Sequence, residues 1–284
     1  MNVEKPIFIV GAGRSGSTIF HRIFSEHPNV AWLSSRLCNR FPRKPWVNRW
    51  LMRTVDYPVI GEFLRQRFKT GEGYDLWDYY YRGFSTPFRD LLPEDVTVGV
   101  KERIPCVMSQ ILTAKRNRLL IKITGWPRVG FLHEIFPDAK FIHMKRDGRA
   151  VINSLIDIHW WQGWKGPQSW GMAGLTPAQR VEWEGFNQSF IALAGIYLQI
   201  LTQAMQKAQQ YVDDAHFMEV DYADLCSNPQ DVFKRALEFC ELEWPPGFEK
   251  ALKKHPLKNA DYKWRQELTP EQQRIAEYFA DGTH

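Results

Sequence analysis

The chain has 284 residues, 44% apolar and 24% charged, a globular composition with room for one large α/β domain or two small ones. Thirty-seven Lys and Arg against 32 Asp and Glu leave a net charge of +5, a mild bias that suits an anionic ligand as well as nucleic acid. No stretch approaches the roughly 20 apolar residues of a membrane span. Cys38, Cys106, Cys226 and Cys240 are scattered without a C-x-x-C pair, which argues against a zinc site or a disulfide frame and for a reducing compartment. The opening residues Met1 to Pro6 lack the layout of a secretory signal, so the expectation is a soluble, cytoplasmic protein.

The apolar run Ile7-Phe8-Ile9-Val10 predicts a buried strand over 6–10, and the residues from Ser17 predict a helix over 17–27 that stops before Pro28. Val30-Ala31-Trp32-Leu33 predicts a second strand. From Ser34 to about Asp95 the pattern loosens. Residues 27–55 hold Arg36, Arg40, Arg43, Lys44, Arg49 and Arg53 but no Asp or Glu, and residues 74–84 are dense in Tyr, Trp and Phe. Residues 36–117 are therefore expected to form an irregular to helical cap over a ligand site, inserted in one domain spanning residues 1–284.

Val96-Thr97-Val98-Gly99-Val100 predicts a short strand, and Leu119 to Ile123 another, interrupted only by Lys122. Trp126 to Phe136 has helical spacing, Lys140 to Met144 reads as a strand, and Gly148 to Ile158 as a helix. Pro177 to Ala208 predicts one long helix with a core-facing stripe of Phe186, Phe190, Leu193, Tyr197 and Leu201. A strand over Phe217 to Val220, a helix over Pro229 to Cys240 and a last helix after Thr269-Pro270 complete the chain. This alternation predicts an α/β fold of three layers, a parallel sheet between helices, with ligands at the carboxyl ends of the strands.

The first such end carries Gly11-Ala12-Gly13-Arg14-Ser15-Gly16-Ser17-Thr18. A glycine-rich turn between strand and helix aims several backbone N–H groups, and the positive end of the helix dipole, at one point, which makes a cradle for a phosphate-like anion. The octet nearly fits G-x-x-x-x-G-K-[ST], but Ser17 replaces the lysine and the basic group has moved to Arg14. Three readings follow. The turn is structural, although Arg14, Ser15, Ser17 and Thr18 are then unneeded. Or Gly11-x-Gly13-x-x-Gly16 is a dinucleotide fingerprint, lacking its ribose-binding acid but with Arg36 available for the 2′-phosphate of NADP in an oxidoreductase. Or the loop holds a phosphosulfate.

A second motif favours the third reading. In Phe141-Ile142-His143-Met144-Lys145-Arg146-Asp147-Gly148-Arg149-Ala150-Val151-Ile152-Asn153-Ser154, an arginine stands at a strand end and a serine eight residues later on the next helix. Arg146 offers a planar fork to a phosphate dianion, and Ser154 adds a neutral donor. The bland alternative is a surface Arg146–Asp147 ion pair with an incidental serine.

Together the loop, the following His27-Pro28-Asn29-Val30 turn and the Arg146/Ser154 motif resemble the PAPS-dependent sulfotransferases, bacterial members related to the carbohydrate and tyrosyl-protein branches. PAPS is 3′-phosphoadenosine 5′-phosphosulfate. The resemblance runs from about Pro6 to Pro270. It is firm at 8–30 and 119–155 and absent over 36–95. It implies a P-loop-like fold and transfer of a sulfuryl group from PAPS to a hydroxyl, leaving adenosine 3′,5′-bisphosphate (PAP), with no metal. Gly13, Arg14, Ser15, Gly16, Ser17 and Thr18 would hold the 5′-phosphate, and Arg146 and Ser154 the 3′-phosphate. Arg14 and Lys122 would flank the moving group. Tyr222, in Val220-Asp221-Tyr222-Ala223-Asp224-Leu225, would lie near the nucleotide, and Lys263-Trp264-Arg265 would close over it.

The family glutamate base, about 20 residues after the loop, is missing, because Ser34, Ser35 and Arg36 occupy that stretch. Glu102 is the first candidate for the base, with Asp157 and His159 as alternatives. Trp46, Trp50, Trp160, Trp161, Trp164 and Trp170 suit stacking on sugar rings or filling of the core. The expected acceptor is a saccharide or glycolipid hydroxyl and not nucleic acid. Assembly of several copies is left open. A non-catalytic module that grips an anionic polymer through residues 36–53 is a third reading.

Overall fold

The computed structural model describes residues 2–281. Its centre is a sheet of five parallel strands, β1 (Ile7–Gly11), β2 (Val30–Trp32), β3 (Arg118–Thr124), β4 (Lys140–Lys145) and β5 (Phe217–Asp221). Their spatial order is β2-β3-β1-β4-β5. Alternation along each strand sends side chains to two different cores. Phe8 and Val10 of β1, with Leu119, Ile121 and Ile123 of β3, pack in one cluster, whereas Ile7 and Ile9 pack with Leu120, Ile142 and Met144 in another. Lys122 pairs with Ile9 in register, so it belongs to the second face at the carboxyl end of the sheet.

Helix α1 (Ser17–Phe24) follows β1 and packs Phe20, Ile23 and Phe24 onto that second face. Between β2 and β3 the chain forms five helices, α2 (Ser35–Arg40), α3 (Trp46–Thr54), α4 (Ile60–Arg67), α5 (Tyr74–Tyr80) and α6 (Val98–Ser109). These helices share the first core with α7 (Val129–Ile135). Helix α8 (Gly148–Ile156) follows β4. After it come α9 (Pro177–Gly185), α10 (Phe190–Ala208), α11 (Tyr222–Ser227), α12 (Pro229–Phe239), α13 (Glu249–Lys254), α14 (Trp264–Glu267) and α15 (Pro270–Asp281). Helices α8, α10 and α15 build a third cluster around Leu155, Leu193 and Phe279.

Two predicted elements differ. Residues 96–100 are not a strand: Thr97 precedes α6, and Val100, Ile104, Val107 and Met108 form its buried face. That spacing of four, three and one is helical, and it continues past the β-branched run that suggested a strand. The long helix over 177–208 is two helices, because Asn187 and Gln188 take φ of +52° and +57°, values that break a helix. Ser189 then restarts the chain, its side chain accepting a hydrogen bond from Ile191 N–H. Of the predicted stripe, Leu193, Tyr197 and Leu201 are buried and Phe186 packs partly buried on Phe279, whereas Phe190 is exposed.

The topology also removes the dinucleotide reading. A dinucleotide fold places its second strand beside the first, so that the residue after it reaches the ribose. Here β3 stands between β1 and β2, and Arg36, exposed at the start of α2, is two strands from the glycine loop.

Candidate active site

Residues 12–16 turn the chain from β1 into α1, and the turn depends on Gly16. This residue has φ +87°, and a Cβ built on it would lie 2.2 Å from the Tyr222 ring. Only glycine meets both demands. Among the described residues the N–H groups of Gly16, Ser17 and Thr18 have no acceptor, while Ser15 N–H closes the turn on Ala12 O at 3.4 Å. Free amides at the first turn of a helix form an anion cradle. Ser15 and Ser17 are buried, and the Ser15 hydroxyl has no partner among the described residues. An unpaired buried hydroxyl is costly unless a ligand serves it, which fits a phosphate on the loop.

Arg14 is held with φ +74°, and its side chain turns out of the loop. Its Nε donates to Ser154 Oγ at 2.8 Å. Arg146 answers from β4's end, its Nη1 donating to Arg14 O at 2.8 Å and its Nε to Asp261 Oδ1 at 2.7 Å. The Arg146 guanidinium also lies over the Tyr222 ring, 4.5 Å from its centroid. Asp147 caps α8 by accepting from Arg149 N–H, so it serves the helix and not Arg146. The two sequence motifs thus meet. Arg14, Arg146, Ser154, Tyr222 and Lys263 are walls of one cavity of about 370 Å³.

Tyr222 is the floor of this site, donating its hydroxyl to Lys258 O at 3.0 Å. Burial pushes its phenol up to about 12, which keeps it neutral. Lys263 faces the cavity, but its neighbours do not join it. Trp264 is buried with the third core, and the Arg149 and Arg265 guanidiniums lie against its ring at 5.0 and 4.6 Å. Their expected closure over the ligand gives way to a packing role, because an indole buried in a core cannot also be a lid.

Lys122, in the middle of an apolar strand, is almost wholly buried and has two partners among the described residues, which leaves one of its three N–H donors for a ligand. Its Nζ donates to Thr18 Oγ1 at 2.8 Å and pairs with Glu72 Oε1 at 2.5 Å. Glu72 is a residue the sequence reading missed. It lies in the cap, and its signal in the chain is small: one acid flanked by Gly71 and Gly73. Beneath Lys122, His21 is buried, and burial with the charges of Lys122 and Arg22 pushes its ring down to about 3.

The expected bases lie elsewhere. Glu102 is on the exposed face of α6, next to Lys101, which pairs with Glu134 of α7. With α6 running from Val98 to Ser109, Glu102 no longer follows a strand end. Asp157 lines the cavity one turn past Ser154, with the groups that face the second anion, and His159 is exposed beyond α8. Of the tryptophans, Trp160 lies over the loop, 3.6 Å from a Cβ built on Gly13. Trp46, Trp50 and Trp164 are exposed, whereas Trp161 and Trp170 are core.

The chain is similar to known proteins. The chain is 22% identical over 302 residues to the omega-hydroxy-beta-dihydromenaquinone-9 sulfotransferase Stf3 of Mycobacterium bovis, covering 96% of this chain and 72% of that protein. The fold is that of the sulfotransferase domain from the curacin biosynthetic pathway, with a TM-score of 0.55 at 15% identity over 98% of both chains. It is also that of sulfotransferase STF9 from Mycobacterium avium, with a TM-score of 0.54 at 19% identity over 99% of this chain and 77% of the other. Residues 6–246 match the sequence profile of the Sulfotransferase family, a span that holds the glycine loop, Lys122, Arg146 and Ser154, and on this ground the chain belongs to the sulfotransferase family.

Proposed function

We infer that the chain moves a sulfuryl group from PAPS to the hydroxyl of a lipid-borne acceptor, a glycolipid among them. The observation that carries the donor assignment is the meeting of two anion grips: the glycine loop with the free amides of Gly16 to Thr18 is joined through Arg14 to Arg146 and Ser154, and these three residues line one cavity. A donor with phosphates at both 5′ and 3′ positions needs two such grips. The loop amides with Ser15, Ser17 and Thr18 hold the 5′-phosphate, and Arg146 and Ser154 hold the 3′-phosphate. Arg14 and Lys122 stabilise charge on the departing phosphate oxygen. Sulfuryl transfer passes through a loose, in-line transition state, so positioning and fixed charge supply most of the rate.

The acceptor assignment rests on the cap. Trp46, Trp50, Val59 and Phe63 are exposed on or beside α3 and α4, next to exposed Arg43, Lys44 and Arg53. Apolar side chains rimmed by cations suit an amphipathic molecule better than a free sugar. A relative named for an omega-hydroxylated menaquinone supports the same class. The test is labelled PAPS offered with a long-chain alcohol, a glycolipid, a free disaccharide and a tyrosine peptide. Label is expected on the first two. Label on the disaccharide or peptide alone would overturn the acceptor class.

A further inference from the structure

The cavity is lined by Arg14, Arg146 and Lys263 with the acids Asp157 and Glu267, but the stretch of Ser34 to Arg36, where the family resemblance implies a glutamate base, carries none. The structure brings a carboxylate there by another route. Residue 70 forms an antiparallel bridge with Ser34, and Gly71 N–H donates to Leu33 O at 2.9 Å. The cap chain therefore runs back along the end of β2. Gly71 packs so tightly on Ser35 that a Cβ built on it would lie 1.8 Å from Ser35 Oγ. On the other side of Glu72, the Tyr74 hydroxyl donates to Thr124 O at 3.0 Å and accepts from Thr124 N–H at 3.1 Å, which ties the segment to the end of β3. Glu72 is thus fixed between two strand ends, beside the stretch of Ser34 and Ser35 that lacks the family glutamate.

Its side chain is placed for chemistry. Oε1 pairs with Lys122 Nζ, which also holds Thr18 at the start of α1. Oε2 has no partner among the described residues, and the side chain is 23% exposed, so an incoming hydroxyl can reach it. On the reading that this chain is a PAPS-dependent transferase, we propose that Glu72 is the general base. The acceptor oxygen forms a bond to sulfur while the bond from sulfur to the 5′-phosphate oxygen breaks. That electron pair leaves with the phosphate of PAP, beside Lys122. The hydroxyl proton passes to Glu72 Oε2. One lysine thereby touches the base and, through Thr18, the phosphate cradle, so the proton acceptor and the leaving-group site are held at fixed spacing.

The test compares wild type, E72Q and S35E/E72Q in two measurements. PAP binding is followed by calorimetry, and release of labelled sulfate from PAPS is followed with water as the nucleophile. Gln keeps an oxygen for Lys122 but cannot take the proton. The expected result is PAP affinity in E72Q within about threefold of wild type, with sulfate release lower by about 10²- to 10⁴-fold and the acidic limb of its pH profile lost. S35E/E72Q, which returns a carboxylate from the adjoining position, recovers about tenfold or more of that loss. Equal release from wild type and E72Q would overturn the assignment. So would a fall in PAP affinity that matches the fall in rate, since Glu72 would then act only through Lys122. Failure of wild type to bind PAP at all would instead overturn the donor reading.

Discussion

The Arg14 guanidinium hydrogen-bonds the Ser154 hydroxyl, Nε to Oγ at 2.8 Å, across 140 residues of chain. The glycine loop and the β4–α8 motif are therefore one unit before any donor arrives. Groups in direct contact couple energetically. In a double-mutant cycle of Arg14→Ala and Ser154→Ala, read by PAP affinity, the expected coupling is about 0.5–3 kcal/mol. Strict additivity would show that the contact plays no part in building the site.

Arg146 is oriented by Asp261 and by the loop carbonyl of Arg14, which leaves its Nη2 free of protein partners among the described residues. A charge-assisted bond to phosphate is worth about 1.5–3 kcal/mol. Arg146→Ala is expected to weaken PAP by about 10- to 100-fold and adenosine 5′-monophosphate, which lacks the 3′-phosphate, by much less. Asp261→Asn keeps the oxygen but removes the charge, and a smaller loss in the same direction is expected. Calorimetry with both nucleotides checks the pair; equal losses for both nucleotides would take Arg146 out of its role.

Gly16 is a point where backbone and packing allow no side chain. Gly16→Ala adds a left-handed alanine and drives a methyl into the Tyr222 ring. The expected outcome is a folded protein whose melting temperature no longer rises with PAP. Retained stabilisation by PAP would show that the cradle tolerates a displaced turn.

His21 sets a pH dependence of stability. Its folded value is about 3 against an ordinary 6.5, lowered by burial and then by Lys122 and Arg22. Between those values the unfolded chain binds a proton that the fold excludes. The stabilisation is therefore complete above about pH 6.5 and is lost progressively as pH falls toward 3. Between pH 7.5 and 5 this one ring accounts for a loss of about 2 kcal/mol. Urea midpoints at both pH values check it, and His21→Phe should flatten the dependence.

The parts of the site that were legible in the chain are the local ones. The glycine loop lies between a strand and a helix adjacent in sequence, and the eight-residue step from Arg146 to Ser154 lies within one strand–helix unit, so spacing alone places both. Lys122 stood out as a charge in an apolar strand. Glu72 did not, because a fold-level event makes it part of the site: the antiparallel bridge between Ser34 and residue 70 carries it to the strand ends. Glu102 was misplaced for a related reason. Val96 to Val100 has the β-branched content of a strand, and only the apolar residues beyond it, out to Met108, show the helical period. Trp161 and Trp170 look like Trp160 and Trp164 in sequence, and their division between core and surface depends on how α8 and α10 pack.

The most direct test of the central claim, that the Gly13–Thr18 loop and the Arg146–Ser154 pair together grip a doubly phosphorylated adenosine donor, is calorimetric titration of the wild-type chain with PAP, ATP and NADPH in parallel. The account predicts saturable one-to-one binding of PAP, with ATP and NADPH weaker by about 2 kcal/mol or more, the worth of one charge-assisted phosphate grip. Binding of NADPH in preference to PAP, or of PAP and ATP alike, would contradict it.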